Sequence, residues 1–414
     1  MSMHRRALFG LGLAAGLTIP QLAMAEDTIK IGVLATFEGA FAILGDDSMR
    51  GALMAFDDFG GKVGGKKIEV VKGSSDGSPD SAVRAIRKLA EQDGVKVIVG
   101  PLSGDEGLAV KDYAKTKPDV TIVNGTSAAQ DTTLRDPAPN FFRFSTDGAQ
   151  WMAGLGDYAY NTKHYHTVAT LAEDYSFPYT QVFGFMAPFC KAGGHVVKKF
   201  WVPIGTKDFS SVIAAMPDNI DAVYVVLGGS DSVNFLTQYK QAGGQAPLIG
   251  GSVTVDQTIL GSKGKIHDVV IGTPSAGPIA DDDDSPAWKK FVAAYKKLPN
   301  AFPSPSLFAQ GYYINATALL TGLQKVNADV SDGGGKLRAT LASLVLETPT
   351  GKVSLDKNRN AIADNFLTEV TANSDGTLYN KLIKVIPQVN QTLGIPEADF
   401  LKLGSVGRDN PSCP

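Results

Sequence analysis

Few residues in this chain are of a type and spacing that could do chemistry. Gly73-Ser74-Ser75-Asp76-Gly77 matches the spacing of a nucleophile elbow, in which a serine on a tight strand-to-helix turn attacks an acyl carbon. On that reading the chain is a secreted serine hydrolase with Ser75 as nucleophile. The elbow needs a helix that begins directly after the serine, whereas Ser78-Pro79 has the form of an N-cap followed by a first helical residue. A polar strand-to-helix loop is the expected role instead. Gly10, Gly12 and Gly16 imitate a dinucleotide-binding run, but no strand precedes them and their spacing is one residue too long. His164 and His166 flank Tyr165 just ahead of a strand and read as a strand entrance, not a metal pair. Asp281 to Asp284 read as a solvated acidic face. These residues yield no enzymatic constellation, no metal site and no cofactor.

The first residues give an address. Arg5 and Arg6 precede an uncharged, largely apolar run from Ala7 to Ile19. Ala23-Met24-Ala25 then supplies the small residues of a signal-peptidase site, so residues 1–25 are expected to be removed. Arg5-Arg6-Ala7-Leu8-Phe9 also fits a twin-arginine signal, and both export routes end in the periplasm. The formal charge of −3 becomes −5 without Arg5 and Arg6, which excludes a polyanion such as nucleic acid as the natural partner. Cys190 and Cys413 meet oxidising conditions there and could form one bridge, tying the C-terminal tail to the helix near Cys190.

The elements that must position a site follow from the periodicity. Short β-branched runs alternate with helical stretches: strands are expected at 28–35, 68–71, 95–99 and 120–123, with helices at 82–92 and 108–115 between them. The pattern restarts with strands at 167–171, 196–201, 222–227 and 248–249. Helices are then expected at 288–297 and 307–325, and strands again at 353–355, 366–370 and 378–386. This is an α/β chain of two lobes, each a parallel-type sheet flanked by helices, and the late strands imply repeated crossings between them. Ligands of open α/β sheets bind at the carboxyl ends of the strands. Three loops stand there: Thr36 to Phe41, Gly100 to Glu106 and Asn124 to Ala129. Loops of this kind opening into helices either cap them or offer N–H groups and hydroxyls to a carboxylate.

Ile29-Lys30-Ile31-Gly32-Val33, the entry from Gly45 to Gly51, Val97-Ile98-Val99-Gly100-Pro101-Leu102-Ser103, the loop Val123 to Thr133, Asp208-Phe209-Ser210 and Ile220-Asp221-Ala222-Val223-Tyr224 occur in a telling order. In that order they resemble the type I periplasmic solute-binding proteins of branched-chain amino acid ABC transporters, the leucine/isoleucine/valine-binding family. The resemblance covers almost the whole chain after the signal. It implies two lobes, 26–143 with 274–354 and 144–273 with 355–414, that close by a hinge on a ligand in the cleft between them. It also implies a monomer that delivers its ligand to an inner-membrane ABC permease, although coupling to a sensor kinase is open on the same fold.

The resemblance places a ligand carboxylate on Ser103, Gly104, Thr126 and Ala128, with Ser127 between the last two. Gly104 stands where the family has serine and Ala128 where it has threonine, so hydroxyls must come from Ser103, Thr126 or Ser127. Phe41 and Gly229 complete the expected lining. Amino acid binders carry an acidic residue after the fourth strand of lobe two, and the matching position here is Ser252. Serine cannot neutralise an ammonium, and an unpaired buried charge costs several kcal/mol. Asp231 is placed either to compensate or to cap the following helix. Tyr175, Phe177 and Tyr179 fall where the family has an aromatic wall, with Phe177 in the best register. The expected ligand is a small organic carboxylate, with an aromatic acid favoured; the alternative is a branched-chain or other amino acid held through Asp231.

Overall fold

The computed structural model describes residues 27–262 and 266–413. The signal expected over 1–25 lies outside them. The first sheet contains β1 (Thr28–Thr36), β2 (Lys62–Val63), β3 (Lys66–Ser75), β4 (Val97–Val99), β5 (Thr121–Val123) and β6 (Phe141–Phe142) in the order β2-β3-β1-β4-β5-β6. All pairs are parallel except the β2–β3 hairpin. Central β1 pairs Ile31 with both Val70 and Val97, and it is buried from Ile31 to Thr36, which is why it reads as an unbroken apolar run. The second sheet holds β7 (Thr167–Glu173), β8 (His195–Val202), β9 (Ala222–Val226) and β10 (Leu248–Gly250), all parallel, in the order β10-β9-β7-β8.

A third, antiparallel sheet joins the lobes: β11 (Pro274–Gly277), β12 (Leu346–Thr348), β13 (Gly351–Leu355), β14 (Ala361–Ala372) and β15 (Leu378–Val389). The expected boundary at 274 put β11 with the first lobe. Instead β11 is hydrogen-bonded to β14, with Ala276 opposite Leu367. The chain segments passing between lobes meet at a buried polar knot. The Arg143 guanidinium donates to Asn360 Oδ1 at 2.7 Å, Ala129 O at 2.7 Å and Thr133 Oγ1 at 2.6 Å, and Asp147 Oδ2 stands 3.8 Å away. Burial lowers the Arg143 pKa to about 10, opposed chiefly by Asp147, and burial raises that of Asp147. Gln150 Nε2 donates to Ala361 O and Val389 O, which ties the start of lobe two to the returning strands.

The acidic run is more than a solvated face. Asp281 accepts from Asn380 N at 2.7 Å and Gln257 Nε2 at 2.8 Å, and Asp282 accepts from Leu382 N at 2.7 Å. It clamps β15 through partners a hundred residues away, beyond the reach of any local pattern. Ser78 is the N-cap of the helix Pro79–Arg87, its hydroxyl accepting from Ser81 N, as its sequence suggests. Ser75 ends β3 fully buried, with its Oγ donating to Ala35 O and Thr36 Oγ1 at 3.3 Å, so it is not presented on a turn. Cys190 and Cys413 form a disulfide with Cα atoms 5.6 Å apart.

Candidate cleft for a small carboxylate

Where the carboxyl ends of the two parallel sheets face each other, the chain leaves a small, partly open cavity of about 20 Å³. That is room for little more than one water molecule, far below the about 300–1,000 Å³ of a ligand pocket, so the lobes must part to admit a ligand. Lobe one supplies Phe41, Leu44, Leu102, Ser103, Gly104, Thr126 and Phe308; lobe two supplies Trp151, Tyr175, Phe177, Gly228 and Val253. Four rings run in sequence around it. Phe41 and Tyr175 have centroids 6.1 Å apart, Tyr175 and Phe177 6.1 Å, and Trp151 and Phe177 5.7 Å. Phe41 ends the short turn Gly39–Phe41 after β1, and Tyr175 caps the helix Ser176–Lys191 after β7. Aromatic pairs at such spacing make a rigid apolar slot.

The polar end of the cavity lies in lobe one. Ser103 caps the helix Gly104–Lys115, and Glu106 reaches back so that its Oε2 accepts from Ser103 N at 2.8 Å. Burial pushes the Glu106 carboxyl upward, opposed by hydrogen bonds from Ser75, Ser103 and Thr36. Ser103 Oγ donates to Gly77 O at 3.1 Å. The first-turn N–H groups of a helix have no partner within it and carry the positive end of the macrodipole. The helix that opens at Gly104 therefore presents an anion-favouring end to the cavity.

Of the residues expected from sequence, Phe41, Ser103, Gly104, Thr126 and Phe177 line this cavity. The others do not. Ser127 points into the helix Gly104–Lys115, where its Oγ would lie 1.7 Å from a Cβ on Gly107, and Thr126 N and Ser127 N both donate to Pro101 O. Ala128 packs in the core and its carbonyl accepts from Gly148 N. Ser252 is held by Gln181 Nε2 at 2.6 Å and faces a neighbouring cavity with Val255 and Asp256, while Val253 takes the place expected for it. Gly228 likewise lines the cavity in place of Gly229. Both pairs lie beyond the strand ends, in the loops after β9 and β10, where the local turn sets which residue faces the cavity. Tyr179 turns away toward Asp174 and Trp201, its ring 4.9 Å from the latter.

Asp231 is also engaged elsewhere. Its Oδ2 accepts from Gly205 N at 2.6 Å and Thr206 N at 3.2 Å, which anchors the loop after β8. Glu173 ends β7 behind Gly228, whose N–H it accepts at 3.0 Å. Burial drives the Glu173 carboxyl well above its ordinary range. Tyr175 takes its place in the expected aromatic wall, whereas Leu44, Leu102, Trp151, Val253 and Phe308 were not expected in the lining. Trp151 lies in the short helix Gly148–Trp151 just after the first crossing, where no motif marked it.

The lobes touch around this space. Ser176 N donates to Asp105 Oδ1 at 3.0 Å, and a Cβ on Gly229 would sit 2.1 Å from Ala40 O. One apolar cluster runs through both, joining Leu44, Leu102 and Phe308 of lobe one to Phe185, Tyr224 and Ile249 of lobe two.

The chain belongs to the periplasmic binding protein family, whose profile matches residues 28–377, and it has the two-lobed type I fold of the branched-chain amino acid group. It is 26% identical over 367 residues to Leu/Ile/Val-binding protein homolog 6 of Brucella melitensis, covering 86% of this chain and 91% of that one. A solute-binding protein of an ABC transporter from Rhodopseudomonas palustris, solved with 3,4-dihydroxybenzoic acid, superimposes with a TM-score of 0.81 at 28% identity, over 88% of this chain and 99% of that one. An ABC transporter substrate-binding protein from Sphaerobacter thermophilus gives a TM-score of 0.78 at 28% identity, over 88% and 99%. Among the described residues, no helix is long and apolar enough to cross a membrane.

Proposed function

We propose that this chain is the periplasmic solute-binding component of an ABC importer, and that it closes by a hinge on a small aromatic carboxylate for delivery to a permease. One observation carries the reading: a slot walled by Phe41, Tyr175, Phe177 and Trp151 abuts the amino end of the helix Gly104–Lys115, and no acidic side chain lines it. With the lobes parted, a flat ring enters between these side chains with its carboxylate toward the helix end. Asp231, the acid expected to pair with an α-ammonium, is bound to backbone amides instead. The ligand of the Rhodopseudomonas palustris relative, a dihydroxybenzoic acid, supports the same class. The names of the Brucella relatives favour a second reading, a branched-chain amino acid.

Calorimetry and thermal shift with benzoate, hydroxybenzoates, leucine and isoleucine separate the two. A ligand at one hundred times its Kd stabilises by about 2.7 kcal/mol, a shift readily seen on melting. Stabilisation by the aromatic acids is the expected result, and D231N is expected to leave it unchanged. Stabilisation by leucine but by none of the aromatic acids overturns the proposal.

A further inference from the structure

The Trp151 indole stands out because it is buried, 2% exposed, yet its Nε1–H has no hydrogen-bond partner among the described residues. Buried N–H donors are nearly always paired, since leaving one bare forfeits its hydration. Trp151 lines the ligand cavity and also the space beside it bounded by Ser145, Gln310 and Thr350. The one other residue common to both linings is Thr126. Trp151 and Thr126 therefore stand at the partition between the two spaces, on the side of the cavity where lobe one presents its polar groups. Phe177 packs edge-on against the indole at 5.7 Å, and Asn365 Nδ2 holds the Trp151 backbone carbonyl at 2.9 Å.

We propose that the Trp151 indole N–H is a specificity-determining donor to the carboxylate of the bound ligand. This rests on the cavity being the ligand site. Ser103, Gly104 and Thr126 belong to lobe one, whereas Trp151 opens lobe two, beyond the crossing at Arg143 to Asp147. A carboxylate seated on the helix end of lobe one thus takes its last hydrogen bond from lobe two. Recognition of the acid group and closure of the cleft become one event, and a ring without the carboxylate loses both. Tryptophan suits the role because it adds a single rigid donor to an otherwise apolar wall, with no charge to desolvate.

The test uses the full mature chain labelled with 15N, read by calorimetry and by its three indole N–H signals from Trp151, Trp201 and Trp288. W151F identifies the Trp151 signal and keeps the ring bulk. Benzoate is expected to move that signal downfield in the native chain, and W151F is expected to weaken benzoate binding by about ten- to a hundredfold, the cost of one hydrogen bond to a charged acceptor. If the chain binds leucine and not benzoate, the aromatic reading fails, but the leucine carboxylate must then move the same signal. A ligand that binds while the Trp151 signal stays in place, or that binds W151F as tightly as the native chain, overturns the inference. Binding of neither probe overturns it together with the function proposed above. The signal shift is measured on native protein, so it decides the question even if W151F folds poorly.

Discussion

Gly104 and Phe177 meet across the cleft with no room for a methyl group between them: a Cβ on Gly104 would lie 2.8 Å from both the Phe177 nitrogen and the Phe177 Cβ. Gly104 opens a helix of lobe one and Phe177 belongs to the first turn of a helix of lobe two, so the missing side chain is a condition of closure. We expect G104A to bind ligand at least tenfold more weakly, because only the closed state makes contacts from both lobes. Its melting temperature without ligand should change by less than a few degrees. Calorimetry paired with small-angle scattering checks this, the variant staying expanded where the native chain contracts on adding ligand.

The aromatic wall should govern affinity more than any hydroxyl. Phe177 is 5% exposed and packs between Tyr175 and Trp151. Phe177→Ala removes the ring edge against Trp151 and leaves a void, a change that costs about 3–5 kcal/mol when a core phenylalanine is truncated. We expect a loss of binding of tenfold or more together with a lower melting temperature. Ser127→Ala and Ser252→Ala should each change Kd by less than threefold, since neither side chain faces the cavity.

Asp256 gives the fold a pH dependence of stated sign. Its Oδ2 accepts from Leu307 N at 2.8 Å and its Oδ1 from Thr258 N at 3.0 Å, so one buried carboxyl joins helix starts in both lobes. Burial raises its pKa from 3.8 to about 7. A carboxyl whose folded pKa is raised holds more protons folded than unfolded between those two values, so stability grows as pH falls from about 7 toward 4 and is lost as pH rises through the same window. Denaturant unfolding across that range should show the slope, and D256N should flatten it by about one proton.

The disulfide should matter for stability and not for binding. Cys190 and Cys413 lie 223 residues apart in sequence, so the bridge closes most of lobe two and the returning strands into one loop. Removing a native bridge typically costs about 2–5 kcal/mol. We expect C413S to melt lower by several degrees with an unchanged Kd. Equilibrium unfolding with and without reductant gives the comparison.

Much of the architecture was legible because it is local. The alternation of β-branched runs with helical periods located the strands of both parallel sheets except the two-residue β2 and β6, and Ser78-Pro79 marked the start of its helix, as observed. The position of three loops at strand carboxyl ends followed from order alone. Asp281 was not legible as a clamp, since Gln257 and Asn380 reach it from distant segments. The family resemblance set the boundary at 274, and only the structure shows that β11 pairs with β14, almost a hundred residues later.

The amino-acid sequence by itself determined the repeated α/β units, the helix caps and which loops leave the sheets toward the cleft, because these depend on residues a few positions apart. Only the tertiary structure decided which side chain of each loop turns inward. In the loops beyond β9 and β10 the local turn set this, and the cavity took Gly228 and Val253 where Gly229 and Ser252 were expected. It likewise brought Trp151 to the Thr126 side of the cleft and set Gly104 against Phe177, because those contacts come into being when two lobes far apart in sequence fold against one another.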